Sequence, residues 1–135
     1  MHEVEVSRFL GTTPPAVLRT LTPAAMVEYE GSFEVQGVEE TEDGAVVTAG
    51  AGGLTMQLVF EEREDGLVYR QRGETGPFDA METTVAVAPE NEGSRVTVRS
   101  SVSLGLSLAS VTDRVAAWKR RGELRRALDR LAEDL

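Results

Sequence analysis

The sequence predicts an α+β domain: a curved antiparallel sheet of about seven strands, two short helices after the first strand, and a long C-terminal helix over the sheet. Three observations carry that expectation. A lone strand-like run, Glu3–Leu10, leads into two helical turns within Thr13–Glu28, each opened by Thr-Pro. Six further runs of alternating character, separated by short turns, fill Ser32–Leu104. One long helical pattern, Leu108–Leu135, comes last. A helix that follows an unbroken meander has one surface to cover, the open face of the sheet, and such a sandwich encloses an interior. At 135 residues the chain reads as one domain, residues 1–135, long enough to bury a core without disulfides or metals.

Each element has its own signal. Val4, Val6 and Leu10 give the first strand a partial alternation. Thr13-Pro14 and Thr22-Pro23 each place an N-cap residue before Pro at the first helical position, and Gly31 ends the second helix. Val17, Leu18, Leu21, Met26 and Val27 are available to a core. Asp43-Gly44 and Asp65-Gly66 are hairpin signals, and Asn91-Glu92-Gly93 marks a third turn. Alternation puts Leu54, Met56, Leu58 and Phe60 on one face, with Leu67, Tyr69, Met81, Thr83, Val85 and Val87. Val96, Val98, Ser100, Val102 and Leu104 complete that inward set. Thr55, Gln57, Arg70, Arg72, Glu82, Thr97 and Arg99 take the solvated face. Meander turns alternate between the two ends of a sheet, so the three acidic turns share one end. Gly50–Gly53, Gly73–Phe78 and the turn after Leu104 share the other, which is the candidate pocket mouth.

The last helix poses a problem of phase. At about 100° per residue, Leu108, Val111, Val115 and Trp118 fall on one side, and Leu124, Leu128, Leu131 and Leu135 nearly opposite. Ala109, Ala116, Ala117 and Ala127 accompany the second set. Either the helix bends or breaks at Gly122, or its first half turns an alanine face inward and leaves Val115 and Trp118 against something else. The bend is the expectation, because glycine relaxes a helix locally. The basic cluster Lys119, Arg120, Arg121, Arg125, Arg126 and Arg130 runs back towards the acidic turns and is expected to pair with their carboxylates.

Composition excludes whole classes of chemistry. There is no cysteine, hence no disulfide, thiolate nucleophile or cysteine metal site. The single histidine, His2, stands at the start of the first strand, which removes histidine triads and zinc hydrolase sites. Gly50-Ala51-Gly52-Gly53 lacks the order of a phosphate-binding loop, and the acidic turns lack the spacing of a calcium loop. No catalytic residue, metal ligand set or cofactor is therefore expected. No apolar run reaches about 18 residues and no signal-peptide pattern is present, so no integral membrane segment is expected and the location reads as cytoplasmic. There are 23 acidic residues against 14 basic ones, and Lys119 is the only lysine. A net charge of −9 repels phosphate backbones, so no nucleic-acid partner is expected, and it suits a halophilic, salt-rich cytosol.

The order of one strand, two helices, six strands and one helix resembles the START-like, or SRPBCC, superfamily, with its polyketide cyclase-type and lipid-transfer domains. The residues that carry the likeness are the helix pair with its Thr22-Pro23 break, the turn-into-strand Asn91–Val98, the Leu104-Gly105-Leu106 exit and the closing segment Arg120–Leu131. The resemblance covers nearly the whole chain and implies the helix-grip fold. It also implies a cavity between the last helix and the concave sheet, for a lipid, isoprenoid or polyketide-like apolar small molecule. In the superfamily's plant hormone receptors, the loop between the third and fourth strands gates the pocket and the next loop at that end latches it. Those loops correspond to Gly50–Gly53 and Gly73–Phe78, although no receptor-type gate or latch sequence is present.

The expected pocket wall is Met56, Leu58, Phe60, Tyr69, Gln71, Met81, Thr83, Val85, Val98, Ser100, Val111, Val115 and Trp118. Tyr69, Gln71, Thr83 and Ser100 would orient a ligand, and Trp118 would face it. Three other outcomes stay open. One is a cyclase- or hydratase-like enzyme in the same pocket, with Tyr69 as its acid and no inward carboxylate to assist. Another is a filled core with no cavity. The third is a module with a protein partner, which an exposed stripe at Val111, Val115 and Trp118 would favour. The acidic composition itself predicts salt-dependent stability. In thermal melts Tm should rise from low to multimolar KCl as screening relieves carboxylate repulsion, and a flat or falling profile overturns the halophilic reading.

Overall fold

The computed structural model describes residues 2–72, 80–103 and 109–135, the side chains of 109–113 excepted. β1 (His2–Leu10) leads into α1 (Pro14–Thr20) and α2 (Pro23–Glu30). The meander follows as β2 (Glu34–Glu40), β3 (Gly44–Ala51), β4 (Leu54–Arg63), β5 (Gly66–Gln71), β6 (Ala80–Glu90) and β7 (Gly93–Ser103), and α3 (Ala109–Glu133) closes the chain. The strands form one antiparallel sheet in the order β1-β7-β6-β5-β4-β3-β2. β1 thus lies beside the last strand, and the two short helices carry the chain from one sheet edge to the other. This is the helix-grip fold.

The hairpins use two kinds of turn chemistry. Gly52 and Gly53 have φ of 56° and 83°, and Asn91 and Glu92 have φ of 45° and 66°. Both central residues are left-handed, as two-residue turns matched to sheet twist require. The two Asp-Gly signals work differently. Gly44 and Gly66 open β3 and β5 and are not left-handed. A Cβ at Gly44 would stand 2.2 Å from the Phe60 carbonyl oxygen, and one at Gly66 1.8 Å from that of Val85. The close approach of a neighbouring strand, not the turn itself, demands glycine there. At the β2 edge, Glu34, Glu39 and Glu40 are exposed and the register shifts between Val35 and Gly37, features that discourage edge-to-edge pairing.

Thr22 caps α2, accepting a hydrogen bond from the Ala25 N–H at 3.2 Å, whereas the Thr13 side chain makes no cap bond. Gly31 ends α2 in the left-handed conformation, φ 77°. The last carbonyls of α2 are satisfied from α3. Arg126 Nε donates to the Glu30 carbonyl at 2.7 Å, and Arg130 Nη1 donates to those of Glu28 and Tyr29 at 3.2 and 3.4 Å. Arg120, Arg126 and Arg130 therefore pair within the protein, but with α2 and not with the acidic turns.

The expected bend at Gly122 gives way to the other arrangement: α3 is one helix from Ala109 to Glu133. Ala116, Ala117, Arg120, Glu123, Leu124, Ala127, Leu128 and Leu131 are buried, and their spacing forms a single inward stripe. Val115, 60 % exposed, and Trp118, 75 % exposed, lie on the outer side. The two apolar sets are reconciled by turning one of them to solvent. Leu54, placed inward by alternation, is 39 % exposed at the start of β4. A Cβ at Gly122 would meet nothing within 4 Å. Gly122→Ala should therefore raise unfolding stability by about 0.5–1 kcal/mol, and Gly66→Ala should lower it by about 1–3 kcal/mol, both read by chemical denaturation. A loss of stability in Gly122→Ala would mean that α3 needs its glycine.

Candidate ligand site

The site is built on a cross-strand row. Phe60 of β4 faces Tyr69 of β5, Tyr69 faces Thr83 of β6, and Thr83 faces Ser100 of β7. Phe60 and Tyr69 stack with centroids 4.4 Å apart, and the Thr83 and Ser100 hydroxyls are 2.7 Å apart. Register alone thus sets three polar side chains next to one another on the concave face, all buried.

Arg120 comes down on that row from α3. Its Nε donates to Ser100 Oγ at 3.1 Å, and its Nη2 donates to Tyr69 Oη and Thr83 Oγ1, each at 2.9 Å. Its Nη1 donates to Glu30 Oε1, from the last residue of α2. Tyr69 in turn donates to Glu30 Oε2 at 3.2 Å. Glu123, one turn further along α3, lies 3.6 Å from Arg120 Nη1 and accepts a hydrogen bond from Ser32 at Oε2. Burial pulls the Arg120 pKa down to about 10, and Glu123 opposes that shift, so the guanidinium stays charged at neutral pH. Burial likewise pushes the Tyr69 phenol well above its ordinary value, against its hydrogen bond with Thr83.

Beside this cluster is a cavity of about 20 Å³, lined by Val27, Glu30, Ser32, Phe33, Met56, Leu58, Met81, Arg120 and Glu123. That is room for about one water. Ser32 and Phe33 also border an open cleft of about 590 Å³ that reaches Gly50 and Ala51, so these two residues stand between the interior and the surface.

Of the predicted wall, Met56, Leu58 and Met81 line the cavity. Phe60, Tyr69, Gln71, Thr83, Val85, Val98 and Ser100 are buried but do not line it. Tyr69, Thr83 and Ser100, read as ligand-orienting groups, each accept a hydrogen bond from Arg120. Val115 and Trp118 do not belong to the wall, because the inward stripe of α3 runs through Ala116, Ala117 and Arg120. The Val111 side chain and the loop Gly73–Phe78 lie outside the described residues. The sequence reading places none of the three charged members, Arg120, Glu30 and Glu123, in the pocket wall, and assigns Arg120 only to the basic cluster of α3. A signal for two of them exists: Arg120 and Glu123 fall in helical phase with Leu124, Ala127, Leu128 and Leu131.

The whole chain, residues 1–135, matches the family described as polyketide cyclase/dehydrase and lipid transport. The chain belongs to that family. Its fold is shared with XoxI from Bacillus cereus, at TM-score 0.75 and 17 % identity over 99 % of this chain and 95 % of that one. A START superfamily protein from Mycobacterium smegmatis is similar at TM-score 0.70 and 12 % identity over 99 % of each chain. No curated protein matches the chain. Membership of this START-like family supports a fold that holds hydrophobic ligands.

The charged cluster sets a stability test. Arg120→Met alone would strand two buried carboxylates and should cost about 3–5 kcal/mol in denaturant unfolding. The triple variant Arg120→Met, Glu30→Leu, Glu123→Leu should recover most of that loss, since hydrocarbon commonly replaces a buried ion cluster at little cost. A triple variant no better than the single one would show that the cluster is needed for packing itself.

Proposed function

We propose that the protein binds and carries an apolar small molecule, of lipid, isoprenoid or polyketide-like character, between α3 and the concave face of the sheet. The observation that carries this reading is a buried ion cluster set against an otherwise apolar wall. Packing alone does not call for Arg120, Glu30 and Glu123, because hydrocarbon there would serve stability as well or better. Recognition of the polar end of an apolar molecule does call for such groups. Family membership points the same way. The cavity has room for about one water, so entry of a ligand requires the walls to part. Met56 and Met81, unbranched and adaptable, are the wall residues suited to re-pack, and Ser32-Phe33 is the way in from the open cleft.

Two specific observations support other readings. Glu30 and Glu123 bring carboxylates to the interior from the helices, and Tyr69 stands 3.2 Å from Glu30, an acid–base pairing that a cyclase or hydratase would use. The exposed Val115 and Trp118 side chains are what a protein-interaction module would present. Native mass spectrometry of freshly purified protein separates carriage from both. The expected result is a bound mass that is lost on denaturation, or uptake of an added apolar probe. Protein that carries nothing and takes up no probe would end the carrier reading.

A further inference from the structure

We propose that the ligand of this cavity carries a hydrogen-bond donor, a hydroxyl or an ammonium, at its buried end, and that Glu123 receives it. The proposal rests on the binding reading above and adds the chemistry of the head group. Glu123 is 6 % exposed and borders the cavity. Its Oε2 accepts from Ser32, but its Oε1 accepts no hydrogen bond. The nearest cation, Arg120 Nη1, lies 3.6 Å from that oxygen, beyond hydrogen-bond range. A buried carboxylate oxygen with no donor is an unmet demand, and the space beside it is open to a ligand or a water.

The rest of the lining points to the same chemistry. Arg120 is the cation in the cavity wall, and it is already engaged by Ser100, Tyr69, Thr83 and Glu30. Two carboxylates, Glu30 and Glu123, share that single guanidinium. A ligand acid would meet two like charges and a committed arginine, and it would leave Glu123 Oε1 still without a donor. An alcohol gives that oxygen its hydrogen bond, and an amine also balances the buried charge.

The test is an NMR titration of the intact protein with octanol, octylamine and octanoate, followed at the Arg120 Nε–H and the backbone amides of Glu30, Ser32 and Glu123. Octanol and octylamine should bind about tenfold or more tightly than octanoate and shift those resonances, the difference a hydrogen bond to a charged group supplies. Glu123→Gln should weaken the two donor ligands about tenfold and narrow the gap to octanoate. If Glu123→Gln does not fold, the order of affinities in the unaltered protein decides alone. Octanoate binding as well as octanol at these resonances would overturn the head-group assignment and leave the carrier reading standing. Shifts confined to surface positions, or a preference unchanged in Glu123→Gln, would also overturn it. Failure of all three compounds to bind would overturn both.

Discussion

A guanidinium buried among hydrocarbon constrains everything that touches it. Arg120 can stay charged in the interior only if α2 ends beside it, so that Glu30 is in reach, and only if β5, β6 and β7 hold one register. A slip of one residue in β6 would turn Thr83 to solvent and bring Thr84 inward, breaking the row of Tyr69, Thr83 and Ser100. The Thr22-Pro23 start and the Gly31 stop of α2 acquire a purpose in this light, since together they set where Glu30 stands. The cluster is thus a device that ties two helices to three strands.

The architecture was open to reading because it rests on local patterns. Period-two alternation, Thr-Pro caps and Gly-bearing turns each speak within a few residues, and they agree with one another from β1 to α3. The inward faces of β4 to β7 follow from the same patterns. The charged heart of the site was not open in that way. Arg120 sits in a run of cations, Lys119 to Arg121, where composition argues for solvent. Its burial depends on Glu30, ninety positions away in sequence, and no local pattern announces that meeting.

The misplacement of Val115 and Trp118 has a related cause. Large apolar side chains suggest an inner face, but in the first half of α3 the small residues Ala116 and Ala117 face inward and the large ones do not. Small inward residues bring α3 close enough for a long arginine to span to the sheet. Gly122 lies on the outer side, and the helix continues through it. A fold shared at 17 % identity with XoxI fixes the shape of the vessel and not its lining, so the polar cluster belongs to this chain's own reading.

The position of β1 has a consequence for how the molecule comes into being. Its register runs from His2 opposite Val102 to Leu10 opposite Ser94, so β1 pairs with β7, the strand most distant from it in sequence. Arg8 then fastens to Asp129, and Tyr29 to Asp134, at the far end of α3. A nascent chain emerging from the ribosome can close the hairpins of its meander early, but its first strand must wait without a partner until β7 is out. Contacts so distant along the chain must meet the entropy of closing a long loop before they contribute, which slows folding.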